Sequence, residues 1–353
     1  MSQKTFQLPP IEATANADLT TRLQHKIDHK TKPLGALGQL ESLALQLGLI
    51  QQSETLEFAQ PQLVVFAADH GIAAEGVSAF PQTVTTQMVA NMLAGGAAIN
   101  VLARQHGFAL HVVDAGVASD LASDVMNHPQ LIQRKIAHGT QNVAVDAAMT
   151  TQQMHTALQT GADVVASLPG NVVAFGEMGI ANTSAAALLL HRLAGVSMTD
   201  ATGRGTGLTD MQLLHKQAVL KRVAELHKGA VQPLEALAAL GGFEIAMMTG
   251  AMLQAAGERR LILVDGFIAG SAALVACALV PAAKDYMVFC HCSAERGHHL
   301  MLAHLRAQPL LEVGLRLGEG TGALLAWPLI QSAVLLMNEM ASFESAGVSG
   351  KDE

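Results

Sequence analysis

The chain has 353 residues, of which half are hydrophobic, 14% are charged and only 3% are aromatic, and its formal net charge is −8. This length and composition predict a large aliphatic core, with room for one large domain and a smaller one. The negative charge and the shortage of aromatic side chains argue against nucleic acid as a partner, because such a surface needs basic patches and stacking platforms.

No membrane or export segment is predicted. The first twenty residues contain no apolar run of the kind found in a secretory signal. The most apolar segment, residues 267–283, is at the lower length limit for a membrane span and is interrupted by Gly270 and Ser271, so a buried internal helix is predicted instead. Because the chain has only three cysteines, we expect reduced thiols and a cytoplasmic location.

The elements alternate along most of the chain. Two helices joined by the turn TKPLGALG are predicted over residues 16–50. Beyond them, short apolar runs alternate with helical stretches. Strands are predicted at 62–71, 109–117, 171–179, 260–267 and at the start of 286–297, and helices near 82–93, 97–106, 180–195 and 268–279. This alternation predicts an α/β fold with a parallel, Rossmann-like sheet and flanking helices.

Almost every predicted strand ends in a polar side chain, most of them beside a glycine. These ends are Asp69-His70-Gly71, Asp114-Ala115-Gly116, Glu177-Met178-Gly179, Asp265-Gly266 and His291-Cys292-Ser293. In an open parallel sheet, ligands bind beyond the carboxyl ends of the strands. We therefore predict that all five ends converge on one active-site rim, rather than serving as unrelated helix caps.

The sequence Cys290-His291-Cys292, with His298 and His299 nearby, invites comparison with a zinc site. Structural zinc sites use Cys-x2–4-Cys spacing twice over, and no fourth ligand is evident here. Small, polarizable core side chains are the better interpretation, and no metal is predicted.

Two glycine-rich stretches are candidates for a phosphate site. In FGEMGIANTS, Gly176 and Gly179 allow close approach of a ligand, and Asn182 stands at the start of a helix whose dipole suits an anion. An ordinary Asn/Thr/Ser cap is the alternative. The second stretch, GRGTGL, contains Gly205 and is followed by Lys216. Neither a Walker lysine nor G-x-G-x-x-G is present, so neither a P-loop nor a dinucleotide site is predicted.

The stretch LRLGEGTGALLAWPLI places Glu319 among three glycines at the start of an apolar helix. In one interpretation, Glu319 or Thr321 caps the helix that begins near Gly322. In the other, Glu319 is a partly desolvated carboxylate whose raised pKa suits a general base. This stretch alone does not separate the two.

Seven motifs occur in order between about Lys32 and Met340: KTKPLGALGQLE, FAADHGIAAEGVSAFPQTVT, FGEMGIANTSAAA, GRGTGL, VDGFIAGSAAL, HCSAERGH and LRLGEGTGA. Together they resemble the nicotinate-nucleotide–dimethylbenzimidazole phosphoribosyltransferase family. The resemblance implies transfer of the phosphoribosyl group of nicotinate mononucleotide to 5,6-dimethylbenzimidazole, in assembly of the cobalamin nucleotide loop. The products are α-ribazole 5′-phosphate and nicotinate, with inversion at the anomeric carbon.

The resemblance also implies an organisation. A smaller helical domain would be built from residues 1–58 and 321–353, around an α/β domain of residues 59–320. The protein would be a homodimer without a cofactor, and the partner's small domain would help to close each site. The apolar C-terminal segment, residues 327–340, would suit either that interface or an intramolecular core.

The resemblance assigns roles to particular residues. Glu319 matches the general base and Glu177 a second acidic position near the reacting centre. The contacts to the nucleotide phosphate and ribose would come from Gly176, Gly179, Asn182, Gly205, Lys216, Asp265 and Ser293. The base pocket would be formed by Phe80, Gln87, Met88 and Leu317.

Phe80 stands where family members carry Ser or Tyr, and an aromatic wall suits any flat base. Adenine, another benzimidazole or a phenol therefore remain alternatives to dimethylbenzimidazole. A catalytically silent nucleotide-binding subunit is a further alternative, against which the presence of both Glu177 and Glu319 counts.

Overall fold

In the computed structural model, which describes residues 5–205 and 207–349, six parallel strands form one sheet in the order β3-β2-β1-β4-β5-β6. The strands are β1 Gln62–Ala68, β2 Ala109–Gly116, β3 Leu131–Gln133, β4 Val172–Met178, β5 Leu261–Val264 and β6 Met287–Phe289. The strand order reverses between β1 and β4, which makes the sheet doubly wound. The predicted α/β fold is thus confirmed.

Fifteen α-helices lie within the described residues. They are α1 Ala17–Asp28, α2 Gln39–Gln51, α3 Thr83–Leu93, α4 Ala98–His106, α5 Ser123–Met126, α6 Thr151–Ala166, α7 Asn182–Ala194, α8 Met198–Ala201, α9 Asp210–Leu226, α10 Pro233–Leu240, α11 Phe243–Gly257, α12 Phe267–Leu279, α13 Arg296–His304, α14 Thr321–Glu339 and α15 Phe343–Ala346. The predicted helices correspond to α1, α2, α3, α4, α7 and α12. Residues 1–4 and 350–353 of the predicted terminal segments, and Thr206 of the GRGTGL turn, lie outside the described residues.

The sheet is covered on its faces by helices that are themselves apolar. Helix α11 contacts β1, β2, β4 and β5 and is buried along almost its whole length. It also packs against α6 at a very close approach: a Cβ on Gly161 would overlap the backbone carbonyl of Met247, and one on Gly250 would overlap the carbonyl of Leu158. The two helices can therefore approach this closely only because both positions lack a side chain.

The two ends of the chain pack together. Helix α14 contacts α2, Thr31 N–H donates to Ala341 O at 3.0 Å, and Phe343 N–H donates to His29 O at 3.0 Å. Helix α14 also contacts α4 and β4, and its buried side chains belong to the same continuous core as the sheet. That residues 1–58 and 321–353 form a separate domain, with 59–320 as the other, stays a prediction.

One helix in the described part of the chain, α14, is long and apolar enough to cross a membrane by length and composition. About 56% of its most apolar stretch is buried inside the protein, and core helices commonly meet the same criterion. Its packing against α2, α4 and β4 identifies α14 as a core helix. Residues 327–340 therefore contribute to an intramolecular core, as one of the two interpretations expected.

We expect Gly161→Ala to lower the free energy of unfolding by about 1–3 kcal/mol, although alanine is the better helix former, because the new methyl meets the Met247 carbonyl. Urea denaturation would measure the change. Gly229→Ala is the matched control, since no atom of the described residues lies within 4 Å of a Cβ there. Equal stability of the two variants would contradict the close helix contact.

Candidate active site

A cleft opens beyond the carboxyl ends of β4, β5 and β6. The predicted residues that line it are Glu177, Gly179, Asn182, Gly205, Asp265, Ser293 and Leu317, and its other walls include Met178, Ile180, Thr183, Gly266, Phe267, His291, Glu295, Arg316 and Gly318. The cleft therefore lies where parallel sheets bind ligands. Most of the residues predicted for the nucleotide site meet there.

The expectation that all five polar strand ends converge is wrong for the two that follow β1 and β2. Asp69 accepts hydrogen bonds from Thr85 Oγ1 at 2.6 Å and Ala118 N–H at 2.8 Å. Asp114 accepts from Val117 N–H at 2.9 Å and pairs with Lys135 at 3.2 Å. Both carboxylates are satisfied by helix α3 and the loops beside them, and neither is among the residues that line the cleft.

Asp265, at the end of β5, binds the start of α14. Its Oδ1 accepts from Gly322 N–H at 2.7 Å and Ala323 N–H at 3.2 Å, and its Oδ2 accepts from Gly320 N–H at 3.1 Å. These are the free N–H groups of a helix N-terminus, which a capping side chain normally satisfies. The cap of α14 is therefore Asp265 from a distant strand, and the interpretation in which Glu319 or Thr321 caps the helix is wrong.

Glu319 occupies a strained turn. Its φ is 64°, a left-handed conformation that non-glycine residues rarely adopt, and its neighbours Gly318 and Gly320 have φ of 84° and 91°. Gly176 lies directly beneath, where a Cβ would overlap the Glu319 carbonyl. The Glu319 side chain is buried, and its Oε2 has no hydrogen-bond partner among the described residues. Leaving a buried carboxylate oxygen unpaired is unfavourable in free energy. We therefore expect a bound ligand to supply the proton that pairs with it.

Burial raises the pKa of Glu319 to about 7, and the nearby charge of Asp265 adds to the increase. A carboxylate that titrates near neutral pH can take a proton and still be ionised in a useful fraction of molecules. Glu319 therefore has the electrostatic properties of a general base.

Glu177, at the end of β4, stands beside the same turn. A Cβ on Gly318 would overlap Glu177 Oε1, while Glu177 Oε2 accepts a hydrogen bond from Asn182 Nδ2. Burial raises the pKa of Glu177 to about 8; the Asn182 hydrogen bond opposes the shift, and the charges of Asp265, Glu244 and Glu319 reinforce it. At neutral pH Glu177 is therefore mainly protonated, and Glu319 is the more acidic of the two.

The opposite wall is formed by the start of α7. Its N-cap is Ala181, at φ 74°, so the alternative of an ordinary Asn, Thr or Ser cap does not hold. Asn182 instead donates to Glu177, and Thr183 Oγ1 accepts from Lys216 Nζ at 2.8 Å. Lys216 is buried just behind this wall, and burial lowers its pKa to about 8, against the opposing charge of Glu295.

The loop after β6 contributes Ser293 and two buried histidines. His298 Nδ1 accepts from Ser293 N–H at 3.0 Å and lies 3.0 Å from Ser293 Oγ. Burial lowers the pKa of His298 to about 3, so the ring is neutral and able to accept. His291 Nε2 lies 3.4 Å from Asp265 Oδ1, and its ring packs where Gly322 has no side chain. These histidines hold the loop and the Asp265 carboxylate in place.

The cysteines of the Cys-His-Cys sequence follow β6 rather than lying on it, since the strand ends at Phe289. Cys290 is buried, and Cys292 Sγ lies 3.2 Å from His299 Nδ1. Among the described residues, no group of three or more His, Cys, Asp and Glu side chains is arranged to hold a metal ion.

The four residues predicted for the base pocket are not all beside the cleft. Leu317 borders it, with about half of its side chain exposed. Phe80 is also about half exposed, Gln87 is exposed and Met88 packs partly against the core; none of these three is in the cleft wall. They lie just before or on α3, which adjoins the cleft because Ile180 N–H donates to Thr85 Oγ1 at 3.2 Å.

Glu295 and Arg316 border the cleft and were not predicted from the sequence. Glu295 lies in the HCSAERGH motif, as the N-cap residue of α13. Its only sequence signal was an acidic side chain between a strand end and a helix start, and such a residue normally indicates a cap. Arg316 precedes the glycine turn and has no comparable signal.

Several known proteins are similar to this chain. Residues 13–348 match a family model described as Phosphoribosyltransferase. Two similar proteins are both named nicotinate-nucleotide–dimethylbenzimidazole phosphoribosyltransferase. That of Variovorax paradoxus (strain S110) is 55% identical over all of both chains, and that of Dechloromonas aromatica (strain RCB) is 56% identical over 96% of this chain and 97% of its own. The crystal structure of CobT from Thermus thermophilus is similar with a TM-score of 0.89 and 40% identity, over 94% of this chain and 99% of its own.

Glu177→Gln should stabilise the protein at pH 8–9 by on the order of 2–4 kcal/mol and have little effect near pH 4. At pH values between the ordinary pKa of a glutamate and about 8, Glu177 has lost its proton in the unfolded state but keeps it in the folded state. The free energy of unfolding therefore decreases as pH rises through this range. Thermal unfolding at several pH values measures this. The exposed Glu57→Gln is the control, and a Glu177→Gln effect that does not depend on pH would refute the assignment.

Proposed function

The chain belongs to the nicotinate-nucleotide–dimethylbenzimidazole phosphoribosyltransferase family, and we propose that its cleft performs this transfer with Glu319 as the general base. The enzyme transfers the phosphoribosyl group of nicotinate mononucleotide to 5,6-dimethylbenzimidazole, yielding α-ribazole 5′-phosphate and nicotinate. The observation that carries the assignment of Glu319 is its buried, unpaired Oε2 in a turn that Asp265 fixes.

Glu319 takes the N–H proton of the benzimidazole as the other ring nitrogen attacks the anomeric carbon. The leaving group is a pyridinium, which departs as the neutral nicotinate ring and needs no proton. One base therefore suffices, whereas glycoside hydrolases use two carboxyl groups. Attack on the face opposite the leaving group inverts the configuration from β to α.

Glu177 acts as a neutral neighbour of the reacting centre. With its Oε2 accepting from Asn182, its proton is available on Oε1, on the side of Gly318. A protonated carboxyl there can donate to a ribose hydroxyl and adds no second full charge beside Glu319. Its high pKa supports this division of labour between the two acids.

The phosphate and ribose lie against the opposite wall. Gly179 and Asn182 at the start of α7, Gly205, and Ser293 supply this surface, with Lys216 as the cation behind it. Backbone N–H groups and the helix dipole favour an anion at such a position. Gly176 and Asp265 support the nucleotide site indirectly, because both contact the turn of Glu319.

Phe80, Gln87 and Met88 on the α3 side, with Leu317 opposite, are the proposed walls for the incoming base. The contact between Thr85 and Ile180 supports the placement, because it brings α3 to the edge of the cleft.

We also propose a cytoplasmic homodimer. The free thiols of all three cysteines fit a reducing compartment. Met211 and Leu214, one turn apart on α9, expose most of their apolar side chains, as expected of a surface that another chain covers.

Glu319→Gln should lower kcat by about 10²–10⁴-fold, because loss of a general base has effects of this size. The assay gives purified protein nicotinate mononucleotide and dimethylbenzimidazole, and separates nicotinate from ribazole phosphate by chromatography. Glu312→Gln, an exposed acid in the same loop, should keep wild-type activity. If the wild type binds the nucleotide but transfers to none of dimethylbenzimidazole, adenine or phenol, the chain is a binding subunit and the proposal is wrong.

The rate with limiting dimethylbenzimidazole should fall as pH decreases through about 7, because protonated Glu319 cannot accept the proton. Rates measured from pH 5.5 to 8.5 at saturating nucleotide would show this limb. The limb should be absent from the residual rate of Glu319→Gln. An unchanged limb in that variant would assign the titration to another group.

A further inference from the structure

Glu295 has an arrangement that a helix cap does not explain. Its side chain is about nine-tenths buried and borders the cleft. Gly205 N–H donates to the carboxylate, yet Oε2 has no hydrogen-bond partner among the residues that the structure describes, which exclude Thr206. A Cβ on Gly203 would overlap Oε2, so the glycine turn leaves room for this carboxylate. A buried, unpaired oxygen of this kind needs a binding partner, and the described part of the chain does not provide one.

Lys216 is the charge that Glu295 faces. Its ammonium group is buried and donates to Thr183 Oγ1 at 2.8 Å, and a Cβ on Gly205 would lie 4.0 Å from its Nζ. Thus Gly205 contacts the carboxylate and adjoins the ammonium group. A buried ammonium is unfavourable unless an anion compensates it, and Glu295 is the anion that interacts with it.

The other charges near Glu295 are arginines at the rim. Arg296, the next residue, pairs with Asp200 at 2.7 Å, and Arg204 pairs with Asp210. Arg316 interacts electrostatically with Glu295 from the exposed loop opposite. These guanidinium groups are largely exposed, so solvent screens them more than it screens the buried Lys216.

A substrate phosphate changes this balance. In the proposed function, the 5′-phosphate of the nucleotide lies at the wall of Thr183 and Gly205, beside Lys216. A dianionic phosphate next to an ionised Glu295 would bring three negative charges to one buried cation. Like charges at this distance repel strongly where water is excluded.

We infer that Glu295 is the internal counterion of Lys216 in the free protein and takes up a proton when a phosphate monoester enters. The proton comes from solvent and binds Oε2, and no other bond forms or breaks. The neutral carboxyl then donates a hydrogen bond to the phosphate, and Lys216 becomes the counterion of the phosphate. This inference rests on the proposed function for the identity of the phosphate monoester and for its position beside Lys216.

The electrostatics of the site support the step. Burial already raises the pKa of Glu295 above its ordinary value, although Lys216 opposes the increase. An incoming dianion can only raise it further. Glu295 would thereby make phosphate binding weaker as pH rises, for the product as well as for the substrate, because both carry the same phosphate.

The test is the affinity of wild type, Glu295→Gln and Glu295→Asp for nicotinate mononucleotide and for inorganic phosphate, by calorimetry at pH 5.5 and pH 7.5. At pH 7.5, Glu295→Gln should bind both probes more tightly than wild type, by about fivefold or more. The reason is that the Gln amide donates a hydrogen bond to the phosphate without adding a negative charge. At pH 5.5 the difference should largely vanish. Glu295→Asp keeps the charge and should keep the pH dependence.

Glu295→Gln binding equal to or weaker than wild type at pH 7.5, with an unchanged melting temperature, would overturn the inference and make Glu295 a charged ligand of the nucleotide or a structural cap. If inorganic phosphate follows the expected pattern but the nucleotide binds no form of the protein, the proposed function fails while the inference stands.

A second measurement needs no variant. Calorimetry of the wild type at pH 7.5 in buffers of different ionisation enthalpy reports the protons exchanged on nucleotide binding. Net uptake is expected, and binding without uptake, or with release, would overturn the inference even if Glu295→Gln does not fold.

Discussion

The hydrogen bonds that Asp265 accepts from the start of α14 are the interaction on which the site depends. Through them, the end of a central strand satisfies three N–H groups of a helix that begins 55 or more residues later in the chain. Without this carboxylate those groups would be buried and unpaired, because no side chain of the turn itself caps the helix. The position of α14 and the geometry of the glycine turn before it are therefore set by the same residue.

Much of the fold could be predicted from the sequence because its strands are short apolar runs that end in polar residues beside glycine. This pattern indicated the parallel sheet and the edge on which the cleft lies. The motifs that resemble the phosphoribosyltransferase family led to Glu319 and Glu177. The sequence could not show that Asp69 is satisfied by Thr85 and Ala118, since whether a strand-end carboxylate is free depends on segments that fold back from elsewhere. The capping role of Asp265 and the burial of Glu295 were hidden for the same reason: both depend on contacts between distant segments.

The backbone of the turn carries strain that its surroundings offset. A glutamate at φ 64° costs on the order of 1 kcal/mol relative to glycine, and the turn keeps this conformation because it is confined on both sides. From below, Gly176 allows the Glu319 carbonyl to lie against β4, and Gly320 packs beside it. From the far side, Asp265 holds the backbone N–H of Gly320. Glycine at position 319 would relieve the strain but remove the carboxylate, so the strain is a consequence of having an acid at this point.

The two acids Asp265 and Glu319 have exchanged the roles that their sequence positions suggest. An acid beside a helix start normally accepts the free N–H groups, and such bonds lower its pKa. Here Asp265 accepts them, and Glu319 is left buried without the stabilisation that would keep it ionised at low pH. The charge of Asp265 then adds to the effect of burial, and both raise the pKa of Glu319 toward 7. The same carboxylate that positions the base also occupies the N–H groups beside it and repels its charge, and this repulsion adds to burial in raising the pKa of the base to about 7.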